Sequence, residues 1–228
     1  MNRCALVTGA NRGIGRETAL QLAAHGLHII AAGRNVEACE KVADEITAAG
    51  GKATTAVIDL MQPASVEQFL RGLNESVDLL INNAGIFPDP SISVFDSNPE
   101  DVRGAMEVHL HAPLQLARAL IPKMQTRGYG RVVNLSSGYA SLNGMAGELT
   151  AYRTSKAALN ALTCILAAEV SGDVKVNAVD PGWVRTDMGG NSAPRSVEEA
   201  AADVVWAATL ESSGPNGKLL RYREIADW

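Results

Sequence analysis

Short runs of aliphatic and β-branched residues alternate along the chain with longer stretches in which apolar residues recur at helical spacing. The strand-like runs are Cys4–Thr8, His28–Ala32, Thr54–Ile58, Leu79–Asn82, Arg131–Leu135, Lys175–Val179 and Lys218–Arg221. The stretch Val36–Ala49 has the helical pattern, with Asn35 ahead of it as an N-cap and Gly50 behind it as a C-cap. Strands that alternate with helices predict βαβ units. The sequence therefore predicts an α/β fold over residues 1–228, a single domain with a doubly wound parallel sheet and helices on both faces.

Composition and charge narrow the functional classes. The net charge of −5 leaves no basic surplus for nucleic acid or an anionic membrane surface. The cysteines Cys4, Cys39 and Cys164 are widely spaced without a CxxC pair, so we predict neither disulfides nor a metal site. The apolar stretch 20–32 is interrupted by polar and glycine residues and is too short to span a bilayer. We expect a soluble, cytoplasmic protein.

The first predicted strand ends in Thr8-Gly9-Ala10-Asn11-Arg12-Gly13-Ile14-Gly15, where a helical stretch begins. Glycines in such a loop allow a tight turn and let a pyrophosphate approach main-chain N–H groups at a helix N-terminus. Glycine-rich loops are common in α/β domains, but one between the first strand and the first helix is typical of a dinucleotide-binding Rossmann domain. We therefore predict that this loop binds a dinucleotide.

The end of the second strand distinguishes NAD from NADP in such domains. A carboxylate there binds the ribose hydroxyls of NAD, whereas an arginine accommodates the 2′-phosphate of NADP. Here the strand ends in Ala32-Gly33-Arg34, with no acidic residue. Arg34 offers a planar fork suited to phosphate, and Arg12 adds a second cation on the same side. Either arginine alone would be an ordinary surface charge, but together they predict NADP(H) as the cofactor.

Tyr152 and Lys156 lie four residues apart in the helical stretch Ala151–Ala168, so their side chains share one face. The pKa of a free tyrosine is about 10, and we expect the Lys156 ammonium to lower the pKa of Tyr152 and make it a usable general acid. Such a pair also occurs by chance on many helices. Ser137, at the end of the fifth strand, strengthens the case because its hydroxyl could hold the carbonyl oxygen that receives the proton.

Together these motifs resemble those of the short-chain dehydrogenases/reductases, and the resemblance covers nearly the whole chain. It comprises the loop at 8–15, Asp59-Leu60, Asn82-Asn83-Ala84-Gly85, Asn134-Leu135-Ser136-Ser137, Tyr-x-x-x-Lys at 152–156 and Pro181-Gly182-Trp183-Val184-Arg185-Thr186. Each motif follows a predicted strand, at the edge where open α/β sheets bind ligands. The stretches Asn177–Gly190 and Gly217–Trp228 are similar to the carbonyl-reductase branch of the family.

The resemblance implies a role for each motif. Ser137 would hydrogen-bond a substrate carbonyl, and Tyr152 would donate the proton. Lys156 would lower the pKa of Tyr152 and bind the nicotinamide ribose. The other implied cofactor-binding residues are Gly9, Asn11, Arg12, Gly13, Ile14, Gly15, Arg34, Asp59, Leu60, Asn83, Ala84, Gly85, Pro181, Gly182, Val184 and Thr186. The implied activity is NADPH-dependent reduction of a small-molecule ketone, aldehyde or quinone, with the cofactor supplying the redox chemistry.

One position departs from the family pattern. The family has an asparagine on the fourth helix, which holds a slight irregularity there and helps to retain a water that links the lysine to solvent. This chain has His109 instead, in Glu107-Val108-His109-Leu110, and the resemblance puts it in the active site. A packing histidine is the alternative. Because imidazole both donates and accepts, we predict that His109 takes part in the proton relay and stays neutral beside protonated Lys156.

Two further segments bear on the substrate. The stretch Ile86–Asn98, rich in Pro, Ser and Asp, predicts a surface loop near the site. The segment after Thr186 is short and glycine-rich, and it runs into a helix whose Ser196 and Glu199 have capping-box spacing. This short flap predicts an open and permissive site. From their positions alone, specificity is assigned to Phe87, Tyr139, Leu142 and Trp183.

Two alternatives share the predicted fold, because a fold does not fix a function. One is a non-catalytic NADPH-binding sensor or scaffold, against which the intact Ser137, Tyr152 and Lys156 argue. The other is an alcohol dehydrogenase, which the 2′-phosphate pocket disfavours. The resemblance also implies assembly, since family members commonly pair their fourth and fifth helices. Small residues there, namely Ala105, Ala158 and Ala161, would permit close approach, so we expect a homodimer or homotetramer. A monomer is the alternative, since the carbonyl-reductase branch also includes monomers.

Overall fold

The computed structural model describes residues 3–88 and 92–228, and within them one mostly parallel sheet runs through the molecule. Its strands are β1 (Cys4–Thr8), β2 (His28–Gly33), β3 (Lys52–Val57), β4 (Leu79–Asn82), β5 (Gly130–Leu135), β6 (Val174–Asp180), β7 (Leu219–Arg221) and β8 (Glu224–Ala226). They lie in the order β3-β2-β1-β4-β5-β6-β7-β8, and only β8 is antiparallel to its neighbour. The order reverses between β1 and β4, which opens a crevice at the carboxyl ends of these strands.

Helices cover both faces of the sheet. They are α1 (Gly13–Ala24), α2 (Val36–Ala48), α3 (Pro63–Gly72), α4 (Pro99–Met106), α5 (Ala112–Arg127), α6 (Thr150–Glu169) and α7 (Val197–Ala208). A π-helical turn, Glu107–His111, joins α4 to α5, and a 3₁₀ turn, Gly138–Ala140, follows β5. The predicted caps are confirmed, since the Asn35 side chain accepts from the Ala38 N–H, and Ser196 with Glu199 forms a complete capping box.

The core consists of two apolar layers separated by the sheet. Successive residues of β1 alternate between them, so that Ala5 and Val7 face the layer under α1 and α7, while Cys4 and Leu6 face the layer under α5. Every residue of β1 is buried because β2 and β4 flank it and helices cover both of its faces. This double coverage explains why the strand is a continuous apolar run in the sequence.

The predicted α/β doubly wound fold is confirmed, and the strand bounds agree closely with the predicted runs. β1 and β4 have the predicted bounds, whereas β3 begins at Lys52 instead of Thr54. The sequence did not predict β8. Its hairpin turn places Tyr222 and Arg223 at φ values of 54° and 65°, and neither is the Gly or Asn that marks such a turn.

The predicted surface loop Ile86–Asn98 is only partly described. Residues 86–88 and 92–98 contain no helix or strand, in agreement with the prediction, and residues 89–91 lie outside the described residues. Throughout the ranges 3–88 and 92–228, none of the helices has the length and apolar character needed to cross a membrane.

Candidate active site

A pocket of about 630 Å³ lies at the carboxyl edge of the sheet, beside the ends of β1, β2 and β4. Its size is within the range typical of small-molecule and cofactor sites. Most predicted cofactor-binding residues line it, namely Gly9, Asn11, Arg12, Gly13, Ile14, Gly15, Arg34, Asp59, Leu60, Asn83, Ala84, Gly85, Tyr152, Lys156, Pro181 and Thr186. The fold thus brings residues from six separate motifs into one cavity.

Four predicted site residues lie beside this pocket instead of on its wall: Ser137, His109, Gly182 and Val184. The Gly182 backbone, with φ of 74°, lies under Tyr222, and a Cβ at Gly182 would be 2.7 Å from the Tyr222 hydroxyl oxygen. Val184 is buried and forms an isolated β-bridge with Arg195. Gly182 and Val184 therefore shape the loop after β6 from behind, and their contact with a cofactor stays a prediction.

Two glycines of the first loop are required by packing against the exit of β4. A Cβ would lie 2.9 Å from Asn83 Nδ2 if placed on Gly9 and 2.2 Å from the same atom if placed on Gly15. Asn83 Nδ2 donates to the carbonyl of Thr8 at 2.8 Å, and the Asn83 N–H donates to Thr8 Oγ1 at 3.1 Å. These bonds hold the loop directly on the β4 exit.

The amino terminus of α1 supplies the anion-binding end of the pocket. Its N-cap residue, Arg12, makes no side-chain capping bond, and the first turn contains no acidic residue. The N–H groups of that turn are therefore left for a ligand, and the helix dipole favours a negative one. This arrangement fits the pyrophosphate of a dinucleotide.

The arginines predicted to select NADP differ in their surroundings. Arg34 follows β2 directly, is exposed on the pocket wall, and has no ion-pair partner within the described part of the chain. Arg12 already pairs with Asp187 from the loop after β6, and both side chains are more than 70% exposed, at 71% and 74%. An incoming phosphate would therefore compete with Asp187 for Arg12. Asp187 was not predicted from the sequence, because nothing in its local pattern links it to a residue so distant in the chain as Arg12.

The segment after β3, which contains the predicted cofactor-binding residues Asp59 and Leu60, forms another wall of the pocket. Asp59 Oδ1 accepts from the Met61 N–H at 3.0 Å, which fixes the carboxylate at the pocket wall. Leu60 is buried beside it, and Ile58 and Met61 complete an apolar wall that the sequence analysis did not include. The combination of an apolar wall with a carboxylate acceptor suits a purine ring that carries an amino group.

Tyr152 lies in the first turn of α6 and is buried. Burial raises its pKa to about 12; a hydrogen bond with the Ser137 side chain opposes this rise, and the charge of Asp180 adds to it. The predicted net lowering of the Tyr152 pKa is thus wrong for this structure, because desolvation of the phenolate outweighs the neighbouring groups. The phenol stays protonated throughout the neutral pH range.

Lys156 lies one turn further along α6 and is also buried. Its Nζ donates to the carbonyl oxygen of Leu135 at 2.6 Å and lies 5.9 Å from the centroid of the Tyr152 ring. Burial lowers the pKa of Lys156 to about 7, because the charged ammonium loses its hydration. The lysine therefore changes its protonation state within the physiological pH range.

His109 occupies the middle of the π-helical turn and is almost fully buried. Its Nε2 accepts from the Ile86 N–H at 3.1 Å, and its Nδ1 is 2.8 Å from Ser155 Oγ. Burial, and then the charge of Lys156, lower its pKa well below the usual histidine value, in agreement with the predicted neutral ring. Both ring nitrogens have protein partners, so the geometry does not agree with the predicted relay through this side chain.

Asp180, the last residue of β6, is a buried carboxylate that the sequence analysis missed. Its Oδ1 accepts from the Gly182 N–H at 3.0 Å, and its Oδ2 lies 3.3 Å from Arg221 Nε. Its charge also raises the pKa of Tyr152. Its place in the sequence, at the carboxyl end of a predicted strand and directly before Pro181-Gly182, could have indicated a site residue.

Two of the predicted specificity residues, Phe87 and Tyr139, are aromatic side chains held beside the site. The rings of Phe87 and Tyr152 meet edge to face, with centroids 4.7 Å apart. The Arg153 guanidinium lies 4.8 Å from the centroid of the exposed Tyr139 ring. Arg153 also donates to the Tyr139 carbonyl at 3.4 Å, so this arginine fixes both the backbone and the ring of the loop after β5.

The other two specificity residues, Leu142 and Trp183, are exposed on the loops after β5 and β6. Trp183 Nε1 donates to the carbonyl of Gly189 at 2.7 Å, which ties the indole to the short flap. Met188 on the same flap lines the pocket and is half-exposed. Large apolar groups are therefore exposed on the loops that follow β5 and β6.

Comparison with known proteins assigns the family. Residues 3–196 match the short chain dehydrogenase family. The chain belongs to that family. Oxidoreductase UcpA of Escherichia coli (strain K12) is 35% identical over 207 residues, which cover 89% of this chain and 77% of that protein. The resemblance predicted from the sequence motifs is thereby confirmed.

Solved structures of other proteins superpose on this short-chain dehydrogenase over nearly its whole length. A 3-oxoacyl (acyl-carrier-protein) reductase from Agrobacterium tumefaciens C58 with NADP bound superposes with a TM-score of 0.88 at 27% identity, covering 96% of this chain and 92% of that one. The carbonyl reductase Sniffer of D. melanogaster gives 0.86 at 27% identity, with 100% of both chains covered. This short-chain dehydrogenase is thus an oxidoreductase, and a nicotinamide cofactor fits its family and its pocket.

Proposed function

We propose that this short-chain dehydrogenase catalyses NADPH-dependent reduction of the carbonyl group of a ketone, aldehyde or quinone. The observation that carries the proposal is the position of the buried Tyr152, whose pKa is raised to about 12, on the wall of the cofactor pocket. Tyr152 and Lys156 line that pocket, and the Ser137 side chain reaches the Tyr152 phenol. Acid catalysis of reduction needs a donor that is protonated at the working pH.

Tyr152, Ser137 and Lys156 each have a separate role in the proposed reaction. Bound NADPH supplies the hydride that adds to the carbonyl carbon. Tyr152 gives its proton to the carbonyl oxygen, so the product is an alcohol, and Ser137 holds that oxygen as its negative charge develops. Lys156 lies behind the tyrosine, where its charge favours the phenolate that remains after proton donation.

NADPH is proposed over NADH because of the residues at the end of β2. Arg34 follows Gly33 there, no carboxylate occupies that position, and Arg12 lines the same pocket. An NADP-bound structure among the similar proteins supports the same choice. A 2′-phosphate would give these cations a doubly charged partner, which the ribose hydroxyl of NADH does not offer.

Apolar side chains beside the site narrow the proposed substrates to carbonyl compounds with aromatic or aliphatic substituents. Phe87 packs against the Tyr152 ring, and Tyr139, Leu142 and Trp183 present exposed apolar surface on the loops after β5 and β6. Burying such surface against a substrate stabilises binding by about 25 cal/mol per Å². A polyhydroxylated substrate would lose its hydration against these groups without replacing it.

The test is NADPH oxidation with a panel of carbonyl compounds that pairs apolar ketones and quinones with polyhydroxylated ketones of similar size. We expect turnover that favours the apolar members. Tyr152→Phe should lower kcat by at least about 10²-fold and leave NADPH binding, followed by cofactor fluorescence, intact. Tyr139→Phe is the matched control, because it removes a tyrosine hydroxyl from the loop after β5. NADPH binding without turnover of any carbonyl would instead indicate a sensor or scaffold.

We also propose that the single domain predicted for residues 1–228 works in the cytoplasm as a homodimer or homotetramer. The unpaired state of Cys4, Cys39 and Cys164 supports a reducing compartment. The small residues predicted at the interface differ in their burial. Ala105 is fully buried in this chain and is unavailable to a partner, whereas Ala161 is exposed on α6.

A further inference from the structure

The hydrogen bonds of His109 determine which of its ring nitrogens carries the proton. A backbone N–H can only donate, so the 3.1 Å contact from Ile86 makes Nε2 an acceptor without a proton. In a neutral ring the proton must then be on Nδ1, which lies 2.8 Å from Ser155 Oγ. The Ser155 hydroxyl in turn donates to the carbonyl of Tyr152 at 3.1 Å. Every donor in this chain of bonds has an acceptor.

This chain of bonds joins three segments that surround the reacting groups. Ile86 follows the β4 motif and precedes Phe87, whose ring packs against Tyr152. His109 belongs to the π-helical turn, and Ser155 belongs to α6, between Tyr152 and Lys156. The His109 ring also meets the Tyr152 ring edge to face, with centroids 5.8 Å apart. The imidazole thus contacts the tyrosine through its ring and, by way of Ser155, through its backbone.

We propose that His109 is a positioning residue, a neutral clamp fixed as the Nδ1–H tautomer between Ile86 and Ser155, and that it does not pass protons. A relay would need a ring nitrogen free to exchange a proton with a water or with Lys156. In this structure the Ile86 N–H and the Ser155 hydroxyl occupy both nitrogens, and the Lys156 ammonium donates to Leu135. The ring is also 1% exposed, which leaves it little contact with solvent.

Ser155 tests whether the clamp positions Tyr152. In the clamp, Ser155→Ala removes the link to Tyr152 and leaves the His109 Nδ1–H without its acceptor, so the tyrosine loses part of its positioning. A relay that used Nδ1 would also pass through the Ser155 hydroxyl, so the two roles are separated by the fixed tautomer of the ring. Loss of one such bond is expected to lower kcat about three- to tenfold.

The activity experiment compares Ser155→Ala, His109→Ala and His109→Asn with wild type, using the best carbonyl substrate. Both alanine variants should lower kcat and leave the KM for NADPH unchanged, whereas His109→Asn should keep more activity, since its amide offers one acceptor and one donor. His111→Ala is the matched control, because this histidine lies in the same π-helical turn but is exposed. Wild-type kcat in Ser155→Ala would overturn the clamp.

A second measurement needs no substrate and therefore separates this proposal from the proposed function on which the activity experiment rests. The chain has 4 histidines, and ¹⁵N-labelled imidazole signals can be assigned to His109 by their loss in His109→Asn. The clamp requires a protonated Nδ1 and an unprotonated Nε2 at neutral pH. A protonated Nε2, or rapid averaging between the two tautomers, would contradict it even if the protein reduces no carbonyl compound.

Discussion

The ammonium nitrogen of Lys156 donates a 2.6 Å hydrogen bond to the carbonyl oxygen of Leu135, the last residue of β5. This bond ties α6 to the strand that leads into Ser137. It also leaves the lysine charge in a buried place, with its Nζ 5.9 Å from the centroid of the Tyr152 ring. A buried lysine with one such bond should affect stability as well as chemistry.

Stability should therefore depend on pH through Lys156. Its pKa is about 7 in the folded protein against 10.5 for a free lysine side chain, so between these values the unfolded chain binds more protons. Stability then rises with pH in this window, with a slope of up to about 1.4 kcal/mol per pH unit from this group. Below pH 7 both states hold the proton and the slope disappears. Urea unfolding between pH 7 and pH 9 measures it.

Lys156→Met is the comparison for this measurement, because it keeps an unbranched side chain without the charge. The difference in slope between wild type and variant isolates the lysine from other groups, including Cys4, whose pKa burial raises to about 12. Equal slopes in the two proteins would mean that Lys156 keeps its ordinary pKa in the folded state.

Loss of Arg221 and loss of Asp180 should change the free energy of unfolding by different amounts. Asp180 is buried and Arg221 is half-exposed, so Arg221→Met leaves a buried carboxylate whose one remaining donor among the described residues is the Gly182 N–H. This change should lower the free energy of unfolding by about 1–3 kcal/mol. Asp180→Asn removes the charge, keeps an acceptor for Gly182 and leaves the arginine free to reach water, so its effect should stay below about 1 kcal/mol.

The difference between the two variants is measured by thermal or urea unfolding of both single variants and of the double variant. The double variant should resemble Asp180→Asn, since the uncompensated carboxylate is gone. If Asp180→Asn destabilised the protein more than Arg221→Met, the carboxylate would have a larger role in holding the loop after β6 than its two contacts suggest.

These pairs show where sequence reasoning was sufficient and where it was not. β1 and the helix cap at Asn35 were predictable because apolar run length and capping are local properties of the chain. The Tyr152–Lys156 pair was predictable because its spacing is helical. The pKa of Tyr152 was predicted in the wrong direction, since desolvation depends on everything that covers the ring, and no local pattern records that.

Contacts between distant segments of the chain were also not predicted from the sequence. Asp187 meets Arg12 and Asp180 meets Arg221 only after the sheet has brought their strands together. The two bonds of His109 likewise join loops and helices that the sequence separates, so its position could be assigned but its partners could not. Motifs predict which residues reach an edge of the sheet, whereas burial and pairing there require the folded chain.

Cofactor preference should depend on Arg34 more than on Arg12. Arg34 has no ion-pair partner among the described residues and would give a charge-assisted bond to a 2′-phosphate, whereas Arg12 must first leave Asp187. Arg34→Gln should raise the KM for NADPH about ten- to a hundredfold and leave the KM for NADH unchanged. Arg12→Gln should have the smaller effect. Initial rates with both cofactors, at two salt concentrations, measure this.

Arg16→Gln is the control, because this arginine pairs with Glu45 and does not line the pocket. It should leave both KM values as in wild type. Equal kcat/KM for NADPH and NADH in the unmodified protein would contradict the assignment of the β2 end to the 2′-phosphate.

The proposed assembly should involve the outer face of α6. Ile165 is 56% exposed there, although it is a large apolar residue in the middle of a helix, and a partner subunit would cover it. Ile165→Asp places a charge on this face and should convert a dimer or tetramer into monomers of 24.0 kDa. Light scattering coupled to gel filtration at the assay concentration measures the mass. Val57→Asp is the matched control, since Val57 is 57% exposed but lies on β3, an edge strand of the sheet. Wild type at 24.0 kDa would reject the assembly, and loss of mass in Val57→Asp alone would move the interface to β3.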